Sequence, residues 1–204
     1  MKNTLTFLLA FILTISAQAQ NISLTPFAGY VFDDHVDYSN GSGTVRGGLV
    51  WGADLEFMVN ELAGIELFYQ HQDTEFDGFN GIANLPEDFD LGANYLMLSG
   101  NGYFPVNNDK IRPYAGFGAG VGWFNNKSND NNLTKFAWNI RLGTKIQAAP
   151  NIGVKIQTQL LSAVQAAGGT FYFGTGGAGT GVSSYSSIYQ FGFTGGLVYT
   201  FGTK

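Results

Sequence analysis

The segment from Ile111 to Phe124, IRPYAGFGAGVGWF, limits the fold of this chain more than any other part of the sequence. Bulky apolar residues alternate in it with glycine, and a glycine at every second position would repeatedly weaken a helix. Because successive side chains of a β-strand point to opposite faces, the segment predicts a strand with one apolar face and one nearly bare face. The two faces fit the lipid-facing and inner surfaces of a small membrane barrel, whose bare inner face would make room for side chains from across the lumen.

The alternation of apolar with polar or small residues recurs along the chain. Strands of about ten residues, the length that a tilted transmembrane strand needs, are also predicted over 22–32, 49–59, 64–72, 93–104, 135–146, 152–160 and a last segment that ends at Phe201. Long loops are predicted over 33–48, 73–92, 125–134 and 166–186, and short turns near 60–61, 105–110 and 147–151. Such alternating long loops and short turns are typical of outer-membrane barrels. The sequence therefore predicts an all-β protein, an eight-stranded antiparallel up-and-down transmembrane β-barrel with long extracellular loops, short periplasmic turns and both termini periplasmic.

The aromatic residues of the apolar faces fall into two groups along the predicted strands. The group near the loop ends comprises Tyr30, Phe32, Trp51, Trp123, Phe136, Trp138 and Phe191. The group near the turn ends comprises Phe57, Phe104, Tyr199 and Phe201. Aromatic residues are enriched where each side of a bilayer meets water. A soluble sandwich or lipocalin-type barrel is the alternative, but its charged face would point outward, and here the charged face is also the glycine-rich, crowded one.

The first residues of the chain, Met1 to Ala19, predict a secretory signal peptide. Lys2 provides the positive end, Leu5 to Ile15 the apolar core, and Ala17-Gln18-Ala19 a cleavage site with small residues. A transmembrane helix is the alternative, but the apolar run is shorter than the roughly 20 residues that span a bilayer. We therefore expect residues 20–204 to form a single outer-membrane barrel domain.

Seven charged residues fall on the predicted inner face: Asp54, Glu56, Glu66, Arg112, Arg141, Lys145 and Lys155. Unpaired charges in a narrow lumen would be very unfavourable, so these residues are expected to form a network of ion pairs. One interpretation is that the network fills and orders the barrel. The other is a gate, in which an exchange of ion-pair partners opens a narrow path. The first is favoured, because eight strands leave an interior only wide enough for side chains.

The sequence gives little support to an active site. A lipid A deacylase or palmitoyltransferase would need a histidine beside a serine at the outer rim. His71 has no serine near it in the sequence, and His35 lies in a predicted loop. We therefore expect no catalytic residues and no enzymatic activity. The chain also has no cysteine, which excludes disulfide and thiolate chemistry.

Metal, cofactor and nucleic-acid sites are also weakly supported. Asp73, Glu75 and Asp77 are spaced like the start of a calcium-binding loop, but Asn84 stands where the bidentate glutamate belongs. These three acids are weak metal candidates, and a solvated acidic loop is favoured. The segment 174–179 matches a dinucleotide-binding pattern only in its letters, so we expect no cofactor. With a formal net charge of −5 and no basic patch, we expect no nucleic-acid partner.

The signal peptide, the strand PYAGFGAGVG from Pro113 to Gly122 and the aromatic strand ending at Phe201 resemble the outer-membrane β-barrel-domain family. This family includes the OmpA-like and opacity-protein-like eight-stranded barrels of Gram-negative bacteria. The resemblance covers essentially the whole mature chain and specifies a fold rather than a reaction. It implies a monomer in contact with outer-membrane lipid and lipopolysaccharide, inserted by the barrel-assembly machinery. Members usually end on an aromatic assembly signal, whereas Gly202-Thr203-Lys204 follow Phe201 here.

These observations predict a non-enzymatic outer-membrane protein that serves envelope structure and binds an unidentified ligand through its extracellular loops. The alternative is a narrow porin that passes small solutes. Most of the fifteen acidic residues lie in the predicted extracellular loops: Asp33, Asp34, Asp37, Asp73, Glu75, Asp77, Glu87, Asp88, Asp90 and Asp130. An acidic rim of this kind attracts divalent cations or a basic partner.

Overall fold

The computed structural model describes residues 22–38, 41–80, 85–126, 132–164 and 188–201. The predicted signal peptide, the tips of three predicted loops and the whole predicted loop 166–186 lie outside these ranges. Within the described ranges, no helix is long and apolar enough to cross a membrane.

The described chain consists of β-strands and their connections. The strands are β1 (Ile22–Val31), β2 (Asp34–Tyr38), β3 (Gly41–Val45), β4 (Gly48–Asn60), β5 (Ala63–Asn80), β6 (Leu85–Tyr103), β7 (Ile111–Asn126), β8 (Asn132–Ala149), β9 (Ile152–Val164) and β10 (Ile188–Phe201). The connections 61–62, 104–110 and 150–151 lie at one end of the barrel, where Ile22 also pairs with Phe201. We name this the turn end and the opposite one the loop end.

Eight of the strands close into a barrel in which every neighbouring pair is antiparallel. The order around the ring is β1, β4, β5, β6, β7, β8, β9 and β10, and β10 pairs with β1 to close it. Each strand thus lies beside its neighbours in the sequence, as in other up-and-down barrels. The prediction of an all-β, eight-stranded antiparallel barrel is confirmed.

Two of the predicted long loops contain regular β-structure, so those loop predictions are wrong. Residues 33–48 hold the β2–β3 hairpin, which pairs in the same register as β1 and β4 below it. Residues 73–80 and 85–92 belong to β5 and β6, whose ladder continues to the pair Asn80–Leu85. Alternation reveals a strand only where its two faces differ in polarity, and in 33–48 and 73–80 polar residues and glycines occur on both faces. The strands therefore extend well beyond the alternating part of the sequence.

The exposure of the side chains confirms the predicted faces. Leu98 and Leu197, on the apolar face, are 62% and 64% exposed. Glu66 and Arg141, on the other face, are 0% exposed. Charge inside and apolar surface outside is the reverse of a soluble protein, so the barrel presents its apolar wall outward.

Aromatic side chains of the outer wall gather near both ends of that wall. At the loop end, the ring centroids of Phe32 and Phe191 lie 6.1 Å apart in a stacked arrangement. At the turn end, Tyr199 and Phe201 lie 5.1 Å apart, edge to face. The two groups have the places that aromatic belts take at the two interfaces of a bilayer.

The glycine-lined face of β7 gives space to the strands directly beside it. A Cβ atom on Gly116 would collide with the side chain of Asn101 on β6. A Cβ atom on Gly118 would collide with Ser99 on β6 and would lie 2.5 Å from Oδ1 of Asn139 on β8. These side chains belong to the residues paired with the glycines in the sheet. The space beside these glycines is thus filled by side chains of the two adjacent strands, β6 and β8. The expectation that side chains from across the lumen would fill it is wrong.

Asp34 continues the ladder at the rim between β2 and β10. The Phe32 N–H donates to the Phe191 carbonyl at 2.8 Å, and the Tyr189 N–H donates to the Asp34 carboxylate, also at 2.8 Å. Partial burial raises the pKa of the Asp34 carboxyl above its ordinary value, and the hydrogen bond from Tyr189 opposes that rise. The carboxylate thus replaces a backbone carbonyl as an acceptor for β10.

Leu197→Arg is expected to destabilise the inserted barrel by about 2–4 kcal/mol, the cost of an arginine on the lipid-facing side near the bilayer midplane. Leu49→Arg is the matched control, because Leu49 is an exposed leucine beyond Trp51 at the loop end. There the same change is expected to cost about 0–1 kcal/mol. Urea unfolding in lipid vesicles measures both values, and equal losses would contradict the assigned depths.

Candidate functional site

Six of the predicted inner charges gather in the turn-end half of the lumen. They are Asp54 and Glu56 on β4, Glu66 on β5, Arg141 and Lys145 on β8, and Lys155 on β9. All six side chains are buried except that of Lys145, which is 13% exposed. Each occupies an inward position because alternate residues of a strand share one face. Three carboxylates face three cations, so the group is neutral overall.

Glu66 lies at the centre of this lumen network. Its carboxylate accepts a hydrogen bond from Nη1 of Arg141 and, at 2.7 Å, one from Nζ of Lys155. Lys155 also donates to Oδ2 of Asp54 at 2.8 Å. Hydrogen bonds between ionised groups are among the strongest in proteins. They connect β4, β5, β8 and β9 through the interior of the barrel.

Glu56 holds the part of the network nearer the turn end. Its carboxylate pairs with Lys145 and accepts a hydrogen bond from the Tyr103 hydroxyl, which lies 2.7 Å from Oε1. Asn101 joins the two parts, because its Nδ2 donates to Glu56 at 2.7 Å and to Glu66 at 2.9 Å. Asn101 and Tyr103 are not among the predicted members of the network. Their inward positions on β6, the neighbour of β5, are the signal that could have found them.

Arg112 lies outside the ion pairs of the network, contrary to expectation. Its Nη2 donates to the backbone carbonyl of Glu61 at 2.6 Å, and its guanidinium carbon lies 4.5 Å from the centroid of the Tyr103 ring. It is the second residue of β7 and therefore lies at the turn-end opening, where it is partly exposed. A cation at this height is stabilised by water and by an aromatic ring, so it needs no carboxylate.

An apolar cluster, which the sequence did not predict, lies in the loop-end half of the lumen. A buried cluster there comprises Leu91, Ala93, Tyr95, Met97, Phe124, Ala137, Leu161 and Ala163. Below it, Phe68 stacks on Phe27 at 5.2 Å and contacts the Arg141 guanidinium, 5.0 Å from its ring centroid. A signal was present in β9, where Leu160 and Leu161 are both apolar and the alternation fails. The side chain of Leu161 lies in the lumen as part of this cluster.

Amide and hydroxyl side chains form a third group inside the barrel. Nε2 of Gln159 donates to Oε1 of Gln70 at 2.6 Å. Other buried polar atoms have no hydrogen-bond partner among the described residues: Gln70 Nε2, Gln72 Oε1, Ser99 Oγ, both polar atoms of the Asn139 side chain, Gln159 Oε1 and Gln190 Nε2. Buried polar groups without partners are unfavourable unless water or a solute meets them. A small polar solute would therefore find its best contacts here.

The weak metal candidates Asp73, Glu75 and Asp77 lie on β5 and do not form a calcium-binding loop. Alternate residues of a strand are about 7 Å apart, so a single ion cannot contact all three carboxylates. Asp77 pairs instead with Arg46, and Asp73 lies 3.2 Å from Nε2 of His71. Among the described residues, no group of three or more acidic or histidine side chains is gathered to hold a metal ion.

Comparisons with known proteins agree with the observed barrel. The family model described as outer membrane protein beta-barrel domain matches residues 5–201. A search of curated proteins finds no match. The crystal structure of Neisserial surface protein A (NspA) is 13% identical and has a TM-score of 0.57, covering 88% of this chain and 97% of its own. OprG from Pseudomonas aeruginosa is also 13% identical and has a TM-score of 0.58, covering 89% and 95%. At these identities the two structures show a shared fold.

Arg141→Ala is expected to lower the free energy of unfolding by about 3–5 kcal/mol, because it removes one partner from a buried carboxylate. Arg112→Ala is the matched control, since it removes the same side chain from the water-exposed opening. Its expected cost is about 1 kcal/mol or less, the size of one exposed cation–π contact. Urea unfolding in lipid vesicles compares the two variants, and a similar loss for both would contradict the central place given to the Arg141–Glu66 pair.

Proposed function

Because this chain belongs to the outer membrane protein β-barrel domain family, we propose that it is a non-enzymatic integral outer-membrane protein with a closed lumen. Its function is to support envelope structure and to bind partners at its loop end. The turn end and both termini are periplasmic in this proposal. Lipopolysaccharide and bridging divalent cations are the proposed partners of the loop end, and the protein acts as a monomer. One structural neighbour, NspA, is itself described as a surface protein.

The single observation that carries the closed lumen is the burial of a charge-balanced network. Arg141, Glu66 and Glu56 are each 0% exposed, and every carboxylate of the network contacts a cation. Opening a path would separate charges that have no water to meet them, which costs several kcal/mol for each ion. The apolar cluster in the loop-end half fills the space beyond the network. Both halves therefore support a barrel that does not conduct.

Surface binding is supported by the strands that project beyond the aromatic belt. There β2, β3, β5 and β6 lie side by side and continue the wall past the loop end. Their side chains include the exposed Glu75 and Asp90 and the Arg46–Asp77 ion pair. Barrel closure requires none of these residues, since the ladder below is already continuous. Projecting acidic strands suit contact with cations or with a basic partner.

The lack of enzymatic activity is supported by the surroundings of His71. Its Nδ1 lies 2.8 Å from Oδ1 of Asn94, and its Nε2 lies 3.2 Å from Oδ1 of Asp73. Both ring nitrogens therefore lie against oxygen atoms of neighbouring side chains, and among the described residues neither is directed at a serine hydroxyl, as that of a general base would be.

A narrow porin is the second candidate, and the unpaired amides of the lumen favour it. Gln70, Gln72, Asn139, Gln159 and Gln190 all carry a buried polar atom without a partner among the described residues. A small polar solute or a file of water could bond to them. Such a path would still have to pass the Arg141–Glu66–Lys155 group, which is why we place this function second.

Planar-bilayer recordings test the closed lumen. The unaltered protein is expected to give no steady current steps, because the ion pairs and the apolar cluster fill the interior. The double variant Glu66→Ala, Arg141→Ala removes one anion and one cation, keeps the lumen neutral and is expected to open a small conductance. Arg112→Ala, at the opening, is the control and should stay silent. Steady current steps from the unaltered protein would instead support the porin.

Shortening the β5–β6 hairpin tests surface binding. Glu75 and Asp90 are directly paired, so replacing residues 76–89 with Asn-Gly joins them by a two-residue turn that suits a hairpin. We expect the barrel to insert normally, shown by a gel shift between unheated and boiled samples, and calcium-dependent envelope integrity to be lost. A variant that keeps the hairpin but carries Asp77→Asn, Glu87→Gln and Asp88→Asn separates charge from shape. Failed insertion would make the hairpin structural, and unchanged integrity would place the function elsewhere.

A further inference from the structure

Four residues on neighbouring strands form a row across the outer wall at the loop end. Trp51 on β4 pairs with His71 on β5, His71 pairs with Asn94 on β6, and Asn94 pairs with Trp123 on β7. Tyr69 and Asp73 flank His71 along β5 on the same face. We name these six residues the rim cluster: Trp51, Tyr69, His71, Asp73, Asn94 and Trp123.

The polar atoms of the rim cluster converge on the side chain of Asn94. The Tyr69 hydroxyl donates to its Oδ1 at 3.0 Å, and Nδ1 of His71 lies 2.8 Å from the same atom. On its other side, His71 lies 3.2 Å from the Asp73 carboxylate, which is 63% exposed. Asn94 itself is only 6% exposed, although it points to the outside of the barrel. The wall thus holds an ordered polar group at the height of the aromatic belt.

Aromatic rings border this polar group. The Trp51 ring centroid lies 5.1 Å from that of His71 and 6.3 Å from that of Tyr69, and the Tyr69 centroid lies 6.2 Å from that of Trp123. Trp51 is 55% exposed, so much of its indole is accessible from outside. The exposed indole of Trp51 beside the ordered polar side chains gives one surface two kinds of contact.

We propose that the rim cluster binds an uncharged pyranose sugar. The carbon–hydrogen face of a sugar ring carries slight positive charge and suits the negative face of an indole. Its hydroxyls can donate to the exposed carboxylate of Asp73, and the contacts of His71 with Asp73 and Asn94 hold that carboxylate in place beside the indole of Trp51. A phosphate ligand is disfavoured, because the carboxylates of Asp73 and Glu75 lie on this face of β5 and would repel it.

A second row on the opposite wall shows what a plain aromatic belt looks like in this barrel. There Trp138 on β8, Ser162 on β9 and Tyr189 on β10 are paired in sequence. The Trp138 and Tyr189 rings lie 6.2 Å apart, and the buried Ser162 hydroxyl has no hydrogen-bond partner among the described residues. This row has aromatic residues like those of the rim cluster but lacks its polar network. It therefore serves as an internal control for sugar binding by aromatic residues alone.

The proposal rests on the proposed function in one respect: it takes the loop end to lie in the outer leaflet, where sugar-bearing lipids meet the barrel wall. The sugar could be the head group of such a glycolipid or a free saccharide. Both present the same ring and hydroxyls, and the experiment below separates them.

Tryptophan fluorescence tests the proposal, because two of the three tryptophans of the chain lie in the rim cluster. Trp138→Phe leaves only Trp51 and Trp123 as emitters, and the double variant Trp51→Phe, Trp123→Phe leaves only Trp138. Each is placed in phosphatidylcholine nanodiscs with increasing fractions of a neutral monohexosyl diacylglycerol, after preparation in a detergent without sugar. A second titration adds methyl glucoside to sugar-free discs, and a third replaces the glycolipid with phosphatidylglycerol.

We expect a saturable emission change for the Trp138→Phe protein with the glycolipid and none for the protein that keeps only Trp138. Asn94→Leu in the Trp138→Phe background should raise the glycolipid fraction at half-saturation at least tenfold. Tyr69→Phe keeps the ring and removes one hydrogen bond, so it should weaken binding by a smaller factor. The gel shift on boiling shows whether each variant is folded. If Asn94→Leu fails to insert, Tyr69→Phe alone tests the contribution of the polar side chains.

A response to methyl glucoside as well as to glycolipid supports a site for the sugar itself, and a response to glycolipid alone supports a lipid-anchored sugar. An equal response to phosphatidylglycerol, an equal response from Trp138, or no response to either sugar overturns the proposal. Nanodiscs expose both leaflets and require no closed lumen. A negative result here therefore leaves the proposed function standing, and a conducting lumen would leave the sugar site standing.

Discussion

An eight-stranded barrel leaves an interior that side chains alone can fill, and the rest of this structure depends on that limit. A charge placed there cannot keep its water, so it must contact an opposite charge or raise the energy of the folded state by several kcal/mol. Glu66 meets this condition with two cations, Arg141 and Lys155, which come from two other strands. The contacts that neutralise the charges of the lumen therefore also join its walls.

The limited space also explains the glycines of β7. Gly116 and Gly118 lie beside Asn101, Ser99 and Asn139, and a side chain at either glycine would collide with them. Asn101 is the residue that bonds to both Glu56 and Glu66. The bare face of one strand thus lets the polar side chains of its neighbours reach the centre of the barrel. The segment that shows the fold most clearly in the sequence is also the one that makes the lumen network fit.

The sequence predicts the faces of the strands well, because lipid and lumen select different residues at alternate positions. It fails where that contrast ends: residues 73–80 carry polar residues on both faces, and the ladders with β3 and β6 show them to be a strand. Parity alone is also too coarse to assign the network. Arg112 and Arg141 both face inward, yet Arg112 lies at the opening and Arg141 at the centre. Their positions along their own strands separate them, because Arg112 is the second residue of β7 and Arg141 lies midway along β8.

At and below the aromatic belt, the fold already determines the kind of residue at nearly every position. Inward residues pack the lumen, and outward residues must be apolar to meet lipid, so little freedom remains there for function. Asn94 departs from this rule, because it points outward on a strand whose next outward residues are Leu96 and Leu98. An apolar residue would satisfy the wall at this position, whereas an asparagine needs hydrogen bonds from Tyr69 and His71. Folding does not call for this arrangement, and its cause is therefore to be sought in what the rim contacts.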